Sequence, residues 1–438
     1  MRTVSSFILW PRRAKSPAWA VGVSLGLCLL VAGSASAMTL AEALQRAAEA
    51  NRDVASARRA TQAAQADVLS AQVTPPPQLS VLSQAINPQN LGHGGLWSRP
   101  IDTIVRLDQP IERGHKAALR SQAAQAGQRA ADADLAGTVL MQQQATAQAY
   151  WDLKLAQVQQ DIAQRNAEIS RESSRLAQLR LRQGDLSRLE ATRLAVEAER
   201  AANELSAATQ QLSEARWALA RLLAWDRADA IESLDASQPW PDEAEAARVA
   251  GVTHGADVEA WLARRADVQA AQQRLNQAEA AVALAQAQKS ADVTVSVQFE
   301  HNPPSGERMW GVGLAIPLGM AGRQEGPIAR ALVAQGDAQD ALAKVRADAL
   351  AERAMLSSAL RTAGDRVGRA QQQLLPQALE AVKATEFARQ QGAMALQDVL
   401  DARRVAHAAA LDAAQAQADF AKALTRLTLI QDPQVPTP

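Results

Sequence analysis

Two carboxylates and two clusters of cationic and amide residues are the groups in this 438-residue chain with the type and spacing to do chemistry. Asp398 and Asp401 are three apart, so on a helix both project from one face, where they would attract a cation. The competing use is structural: Asp398 as a helix cap, or paired with Arg403 or Arg404. Asp398 lies six residues beyond Gly392, and Glu190 lies six beyond Gly184. Around those glycines stand Arg180, Arg182 and Gln183, and Arg389, Gln390 and Gln391, suited to a partner surface or to a solvated helix face. Enzyme constellations are missing. The five His (His93, His115, His254, His301 and His407) show no paired-ligand spacing, and no phosphate loop or nucleophile elbow is present. No catalytic residue, cofactor site or metal site is expected.

Composition constrains the elements around these groups. The chain is 47% hydrophobic but 3% aromatic, with four Phe and one Tyr, so much of its apolar content is alanine. That favours long helices packed through small side chains over bulky globular cores. The 46 Lys+Arg balance 46 Asp+Glu, which argues against a nucleic-acid partner. One Cys excludes a disulfide framework.

Residues 1–37 read as a cleaved secretory leader: Arg2, Arg12, Arg13 and Lys15, an apolar run from Ala18 to Gly33, then Ala35-Ser36-Ala37. Removing these four cations leaves 42 basic against 46 acidic residues, a net charge of −4. Cys28 leaves with the leader; as a lipidation site it lacks the small preceding residue, having Leu27 there. No later run approaches the apolar length of a membrane helix.

The remainder is duplicated. Asp53 and Asp267 are 214 apart, Pro110 and Pro317 are 207 apart, and Gly184 and Gly392 are 208 apart. A first repeat over 38–224 is expected to hold a helix, a β-hairpin over 78–111 and a long helical hairpin over 113–224. An inter-repeat segment over 225–262 follows, with Trp225, Trp240 and Trp261. The second repeat spans 263–430, with a β-hairpin over 293–318 and a helical hairpin over 324–430; a tail over 431–438 ends the chain. Pro376 predicts a kink in the second long helix.

The strands argue for more than a spacer rod or a half-buried soluble sheet. Val293, Val295, Val297 and Phe299 alternate with Thr294, Ser296, Gln298 and Glu300. Val312, Leu314, Ile316 and Leu318 alternate with Gly311, Gly313, Ala315 and Pro317, and Ile101, Thr103, Val105 and Leu107 repeat the pattern in the first half. An apolar face opposite a polar one is what an outer-membrane barrel strand needs, with Trp97 and Trp310 as interfacial aromatics. Four strands cannot close a barrel in lipid. Three chains supply twelve; a dimer would close at eight, with little interior space.

With duplication, strands and helix turns in place, the mature chain resembles the TolC-type outer-membrane efflux channels over essentially its whole length. Gln109-Pro110-Ile111-Glu112-Arg113-Gly114-His115-Lys116 resembles the heavy-metal (cobalt–zinc–cadmium, CzcC-like) branch, with Ile316-Pro317-Leu318 and Gly326-Pro327-Ile328 as the second-repeat counterpart. The resemblance implies a mainly α protein with a small transmembrane β part. Duplicated antiparallel helical hairpins of a homotrimer would form a periplasmic α-barrel continuous with a 12-stranded outer-membrane β-barrel. It implies that Asp398 and Asp401, joined by Glu190, ring the periplasmic aperture. Arg180, Arg182, Gln183 and Gly184, with Arg389, Gln390, Gln391 and Gly392, would form tips facing a periplasmic adaptor and an inner-membrane RND-type pump. The exported substrate implied is heavy-metal cations; a multidrug or type I secretion channel is the alternative. From a different class, the alternative is a periplasmic coiled-coil adaptor or structural protein, which would have one hairpin between β-rich halves.

Overall fold

The structure is a computed structural model that describes residues 36–86, 89, 101–242, 244, 246, 248, 257–302 and 306–431. The leader up to residue 35, Cys28, Trp97 and residues 432–438 lie outside the described residues. The chain opens with β1 (Ser36–Met38), α1 (Leu40–Ala50) and α2 (Arg52–Gln72). Strands β2 (Gln78–Gln84) and β3 (Asp102–Ile111) lead into α3 (Lys116–Gln183) and α4 (Arg188–Leu222). A short α5 (Ala228–Glu232), β4 (Leu234–Ala236) and α6 (Val258–Arg264) connect to the second repeat. That repeat is α7 (Ala266–Ala287), β5 (Val293–Asn302), β6 (Glu307–Ala315), α8 (Met320–Arg323), α9 (Glu325–Arg369), α10 (Leu375–Gln390) and α11 (Leu396–Gln431).

Local chemistry sets these boundaries. Thr39 opens α1 with a capping box: Thr39 Oγ1 accepts from the Glu42 amide, and Glu42 accepts from the Thr39 amide at 2.7 Å. Asn51 ends α1 and caps α2 by accepting from the Asp53 amide at 2.8 Å. Helix α3 runs 68 residues, about 100 Å at 1.5 Å per residue, because no proline interrupts its Ala, Gln, Leu and Arg. In the second repeat Pro376 lacks the N–H an α-turn requires. The disruption takes the form of a π-turn over Ala370–Leu374, where the Leu375 amide bonds back to Ala370 O; the helix then continues as α10.

Four strands form one antiparallel sheet in the order β2-β3-β5-β6. The register aligns Val81 with Val105, Val105 with Phe299, and Phe299 with Trp310. One face therefore carries Leu79, Val81, Val105, Leu107, Val295, Val297, Phe299, Trp310, Val312 and Leu314 in a continuous apolar band. It is solvent-facing in the single chain: Trp310 is 76% exposed and Val312 89%. The opposite face carries Asp102, Arg106, Asp108, Ser296, Gln298 and Glu300. Gly311 and Gly313 lie on that face, where a Cβ at Gly313 would overlap Ser296 Oγ. Strand β6 ends at Ala315, before Pro317, which cannot donate to a ladder, and before Gly319 at φ +75°.

Each strand is covalently continuous with a long helix, and the order is kept. Helices α2, α3, α7 and α9 pack in succession, as β2, β3, β5 and β6 do. Sheet and helices thus make one continuous wall with two open edges. At the elbow, Lys116 Nζ donates to Asp292 at 2.7 Å and to Ser290 O at 2.8 Å, tying the first repeat to the second.

The cores lie midway along the helices. In the first, Tyr150 OH donates to Met38 O at 2.9 Å, and Trp151 Nε1 donates to Thr425 Oγ1 at 2.9 Å. Trp240 stacks on Trp151 with centroids 5.5 Å apart. In the second, the guanidinium groups of Arg265 and Arg353 lie over the Trp261 ring, at 5.1 and 5.0 Å from its centroid. Alanine fills much of the rest, as its abundance in the sequence anticipates. One feature crosses an expected boundary. Ser36 and Ala37, the last residues of the expected leader, pair in β1 with Leu234 and Asp235 of β4, so cleavage after Ala37 leaves Met38 alone of that strand. Trp151 is 1% exposed. Trp151→Ala is expected to cost about 3–5 kcal/mol and Trp151→Phe less, read as ordered falls in the thermal midpoint of the purified protein. Equal midpoints in all three proteins would remove this cluster from the account of the fold.

Candidate functional site

The two helical hairpins end in the same backbone device. After α3, the Gly184 amide bonds to Leu181 O at 3.2 Å and the Asp185 amide to Arg180 O at 2.9 Å. After α10, the Gly392 amide bonds to Arg389 O at 2.9 Å and the Ala393 amide to Ala388 O at 2.9 Å. Both are Schellman turns, and both glycines are left-handed, at φ +83° and +77°. A side chain there would be strained, which is why glycine stands at both positions. The turns leave Arg180, Arg182, Gln183, Gln390 and Gln391 exposed at the two tips. Arg389 is held back, half-buried, with Nη2 3.7 Å from Glu190 Oε1.

The three acidic residues divide into two kinds. Asp398 accepts from the Ala395 amide at 3.1 Å, in the first turn of α11. Asp401 accepts from Gln397 and from Arg404 Nη1, each at 3.1 Å. Both aspartates are exposed while the neighbouring Leu396, Val399 and Leu400 are buried, so the carboxylates share the outward face. Glu190 closes the capping box of α4, where Ser187 Oγ donates to it at 2.8 Å. The Ser187 hydroxyl, and then Arg389, hold its carboxyl below the usual carboxylate range. Its charge is therefore compensated within the chain, unlike that of Asp398. The structural and electrostatic uses of the aspartates coexist: each makes a local hydrogen bond and still faces solvent.

A seam joins the hairpins behind the tips. Leu396 and Leu400 of α11 pack with Ala177 of α3 and with Ala191 and Leu194 of α4. Farther from the tips, Arg404 donates to both oxygens of Glu197 on α4, at 3.2 and 2.8 Å. The Arg404 hydrogen bond holds the Glu197 carboxyl low. Arg403 reaches Glu386 on α10 at 2.6 Å and Ser173 on α3 at 3.3 Å. His407 Nε2 lies 2.8 Å from Glu204 Oε1 on α4. The sequence offers Arg403 and Arg404 as partners for Asp398, but Arg404 pairs with Asp401 instead, and the partners on the first hairpin leave no local signal because they lie far away in the chain.

Other predicted site residues are simpler. Trp310 lies on the apolar face of β6, 5.0 Å from Phe299 between ring centroids; Trp97 is outside the described residues. Among the described residues no group of three or more His, Cys, Asp or Glu could hold a metal ion. No helix among them is long and apolar enough to cross a membrane.

A family model described as outer membrane efflux protein matches residues 43–224 and 258–431. Curated protein sequences yield no significant match. The chain is similar in fold to the outer membrane protein VceC of Vibrio cholerae: 20% identity, 89% of this chain and 95% of that one covered, TM-score 0.73. The CmeC outer membrane channel of Campylobacter jejuni is 17% identical, with 89% and 85% covered and a TM-score of 0.75. The open state of the MtrE outer membrane channel of Neisseria gonorrhoeae is 18% identical, with 90% and 88% covered and a TM-score of 0.69. At these identities the likeness is one of fold.

Glu190 carries the pH dependence of the tip. Because its folded pKa is depressed, the stability it contributes is present above the usual carboxylate range and is lost as pH falls through the lowered pKa. Amide exchange at the start of α4 is expected to be faster in Glu190→Gln than in the unmodified protein at neutral pH. The two should converge in acid once pH has fallen below the lowered pKa of Glu190, where both are uncharged. A difference that persists in acid would contradict this role.

Proposed function

The chain belongs to the outer membrane efflux protein family, and from that premise we propose that three copies form the outer-membrane channel of a tripartite efflux system. It is a passive channel component, not an enzyme. The observation that carries the trimer is the wall with open edges: β2 and β6 present unpaired backbone groups at either side of an apolar face. Hydrocarbon tolerates neither edge, and closure of β6 on the β2 of a neighbouring copy satisfies both. Exposed Leu69 on α2 and Val73 just beyond its end, and Leu332 and Val333 on α9, extend the same edges along the helices. The apolar face of the sheet then meets outer-membrane lipid, and the helices extend into the periplasm.

In this arrangement the tips face inward across the periplasm. The exposed Arg180, Arg182, Gln183, Gln390 and Gln391 are surfaces for a periplasmic adaptor, which couples the channel to an inner-membrane RND-type pump. Asp398 and Asp401 from three copies ring the aperture, with Glu190 behind them as a neutralised support. Such a ring favours cations, and together with the heavy-metal resemblance of Gln109–Lys116 it supports metal cations as the exported substrate. The duct has no need to bind that substrate tightly, since a strong site would slow release.

Planar bilayers test this reading. The purified protein is expected to conduct, with cations preferred over anions and divalent ions blocking from the aperture side. Replacing both Asp398 and Asp401 with Ala is expected to raise single-channel conductance and to weaken divalent block by roughly ten-fold. Conductance and block unchanged by the double substitution would remove the aspartates from the aperture.

A further inference from the structure

We propose that one lumen-facing row of the sheet, formed by Leu82, Ile104, Glu300 and Met309, is a contact site for amphiphilic organic cations passing through the barrel. The proposal rests on the channel reading and adds to it a class of molecule that the wall of the duct holds in transit.

The register brings the four together. Leu82 on β2 faces Ile104 on β3, Ile104 faces Glu300 on β5, and Glu300 faces Met309 on β6. All four lie on the side opposite the apolar band, which lines the lumen once the band meets lipid. That side is polar around them. Ser80, Arg106, Gln298 and Gly311 form the next row toward the helices, while Gln84 with Asp102, and Asn302 with Glu307, lie beyond in the other direction. In sequence the row is a coincident break in alternation. Val81-Leu82, Ile104-Val105 and Met309-Trp310 each place two apolar residues in succession, so three strands turn an apolar side chain inward at one level. Leu82 is 54% exposed and Met309 43%.

Charge gives this stripe its second property. Glu300 is half-buried in the middle of the row. One row farther from the helices, Asp102 is buried; its Oδ2 accepts from Gln84 Nε2 at 2.8 Å, and its Oδ1 has no hydrogen-bond partner. The two carboxylates are diagonal neighbours on β3 and β5, about 7–8 Å apart between Cα atoms. Among the described residues neither is paired with a cation. Arg106, on the same side of the sheet, is bound to Asp108 at 2.8 Å. The register puts His301 and Arg308 on the opposite side.

An apolar stripe with an uncompensated negative centre selects by both properties. A bare metal ion gains nothing from Leu82, Ile104 and Met309, and among the described residues no group of three or more His, Cys, Asp or Glu stands here to chelate it. A neutral apolar molecule gains nothing from the carboxylates. A molecule that joins a cationic nitrogen to an apolar body meets Glu300 and its flanking side chains together. Strand tilt and stagger keep the rows of neighbouring copies from closing into a ring, so a three-copy barrel carries three separate oblique stripes. Each covers three strand spacings, roughly 14 Å. Contact on the wall of an open lumen holds such a cation weakly enough to let it leave.

Single-channel recording of the reconstituted full protein, with tetrapentylammonium or tetramethylammonium added, tests this. The two ions carry the same charge and differ in apolar surface. In the unmodified channel the larger ion is expected to halve the conductance at a concentration at least about ten-fold lower than the smaller. Glu300→Gln, and separately Leu82→Ser combined with Met309→Ser, should each shrink that difference to about two-fold or less. Both apolar residues are exposed, so their replacement opens no core. Equal potency of the two ions in the unmodified channel overturns the site, as does the full difference retained in either variant; both results leave the channel reading intact. Absence of conductance in the unmodified protein overturns the channel reading and the site with it.

Discussion

An unpaired strand edge cannot be left in hydrocarbon, and this constraint organises the molecule. The four-stranded sheet has two such edges and a continuous apolar face, so a single chain is an incomplete object in a membrane. The helices inherit the same incompleteness, because each strand passes directly into a helix and the lateral order is preserved. Open edges and exposed apolar residues on α2 and α9 are what the proposed assembly of several copies into one tube would cover. Close packing through alanine suits the same purpose: a thin wall of long helices needs backbones near one another more than it needs bulky cores.

Burial energy is distributed accordingly. Tyr150, Trp151 and Trp261 anchor the middle of the helices, with Trp240, Arg265 and Arg353 packed around them. The tips have only a few small and medium apolar residues, and polar contacts across the seam supply the rest. A structure that is firm at its waist and lightly held at its tips can move at those tips without unfolding. The acids of the tip fit this division. Glu190 is committed to a cap and a bridge, whereas Asp398 and Asp401 keep their outward face.

Much of this was legible in the sequence where the signal was local and periodic. Alternation over Val293–Glu300 and from Gly311 marked β5 and β6, and the spacing of Gly184 and Gly392 marked twin helix turns. Pro376 announced a disruption, though its form as a π-turn depends on how the whole helix packs. What stayed hidden was non-local. The parallel pairing of Ser36–Met38 with Leu234–Ala236, the Lys116–Asp292 tie and the partners of Arg404 and His407 on α4 join residues far apart in the chain. Single residues such as these have no periodicity to reveal them. Glu190 shows the limit from the other side: its position matched that of Asp398, but a serine three residues earlier and an arginine from the other hairpin gave it a different task.

The central claim is closure of three walls into one tube, and the mass of the intact assembly tests it most directly. Protein extracted in detergent from outer membranes and measured by native mass spectrometry is predicted to be a three-chain species lacking the leader. A single-chain species, or recovery of the protein in the soluble periplasmic fraction, would contradict it.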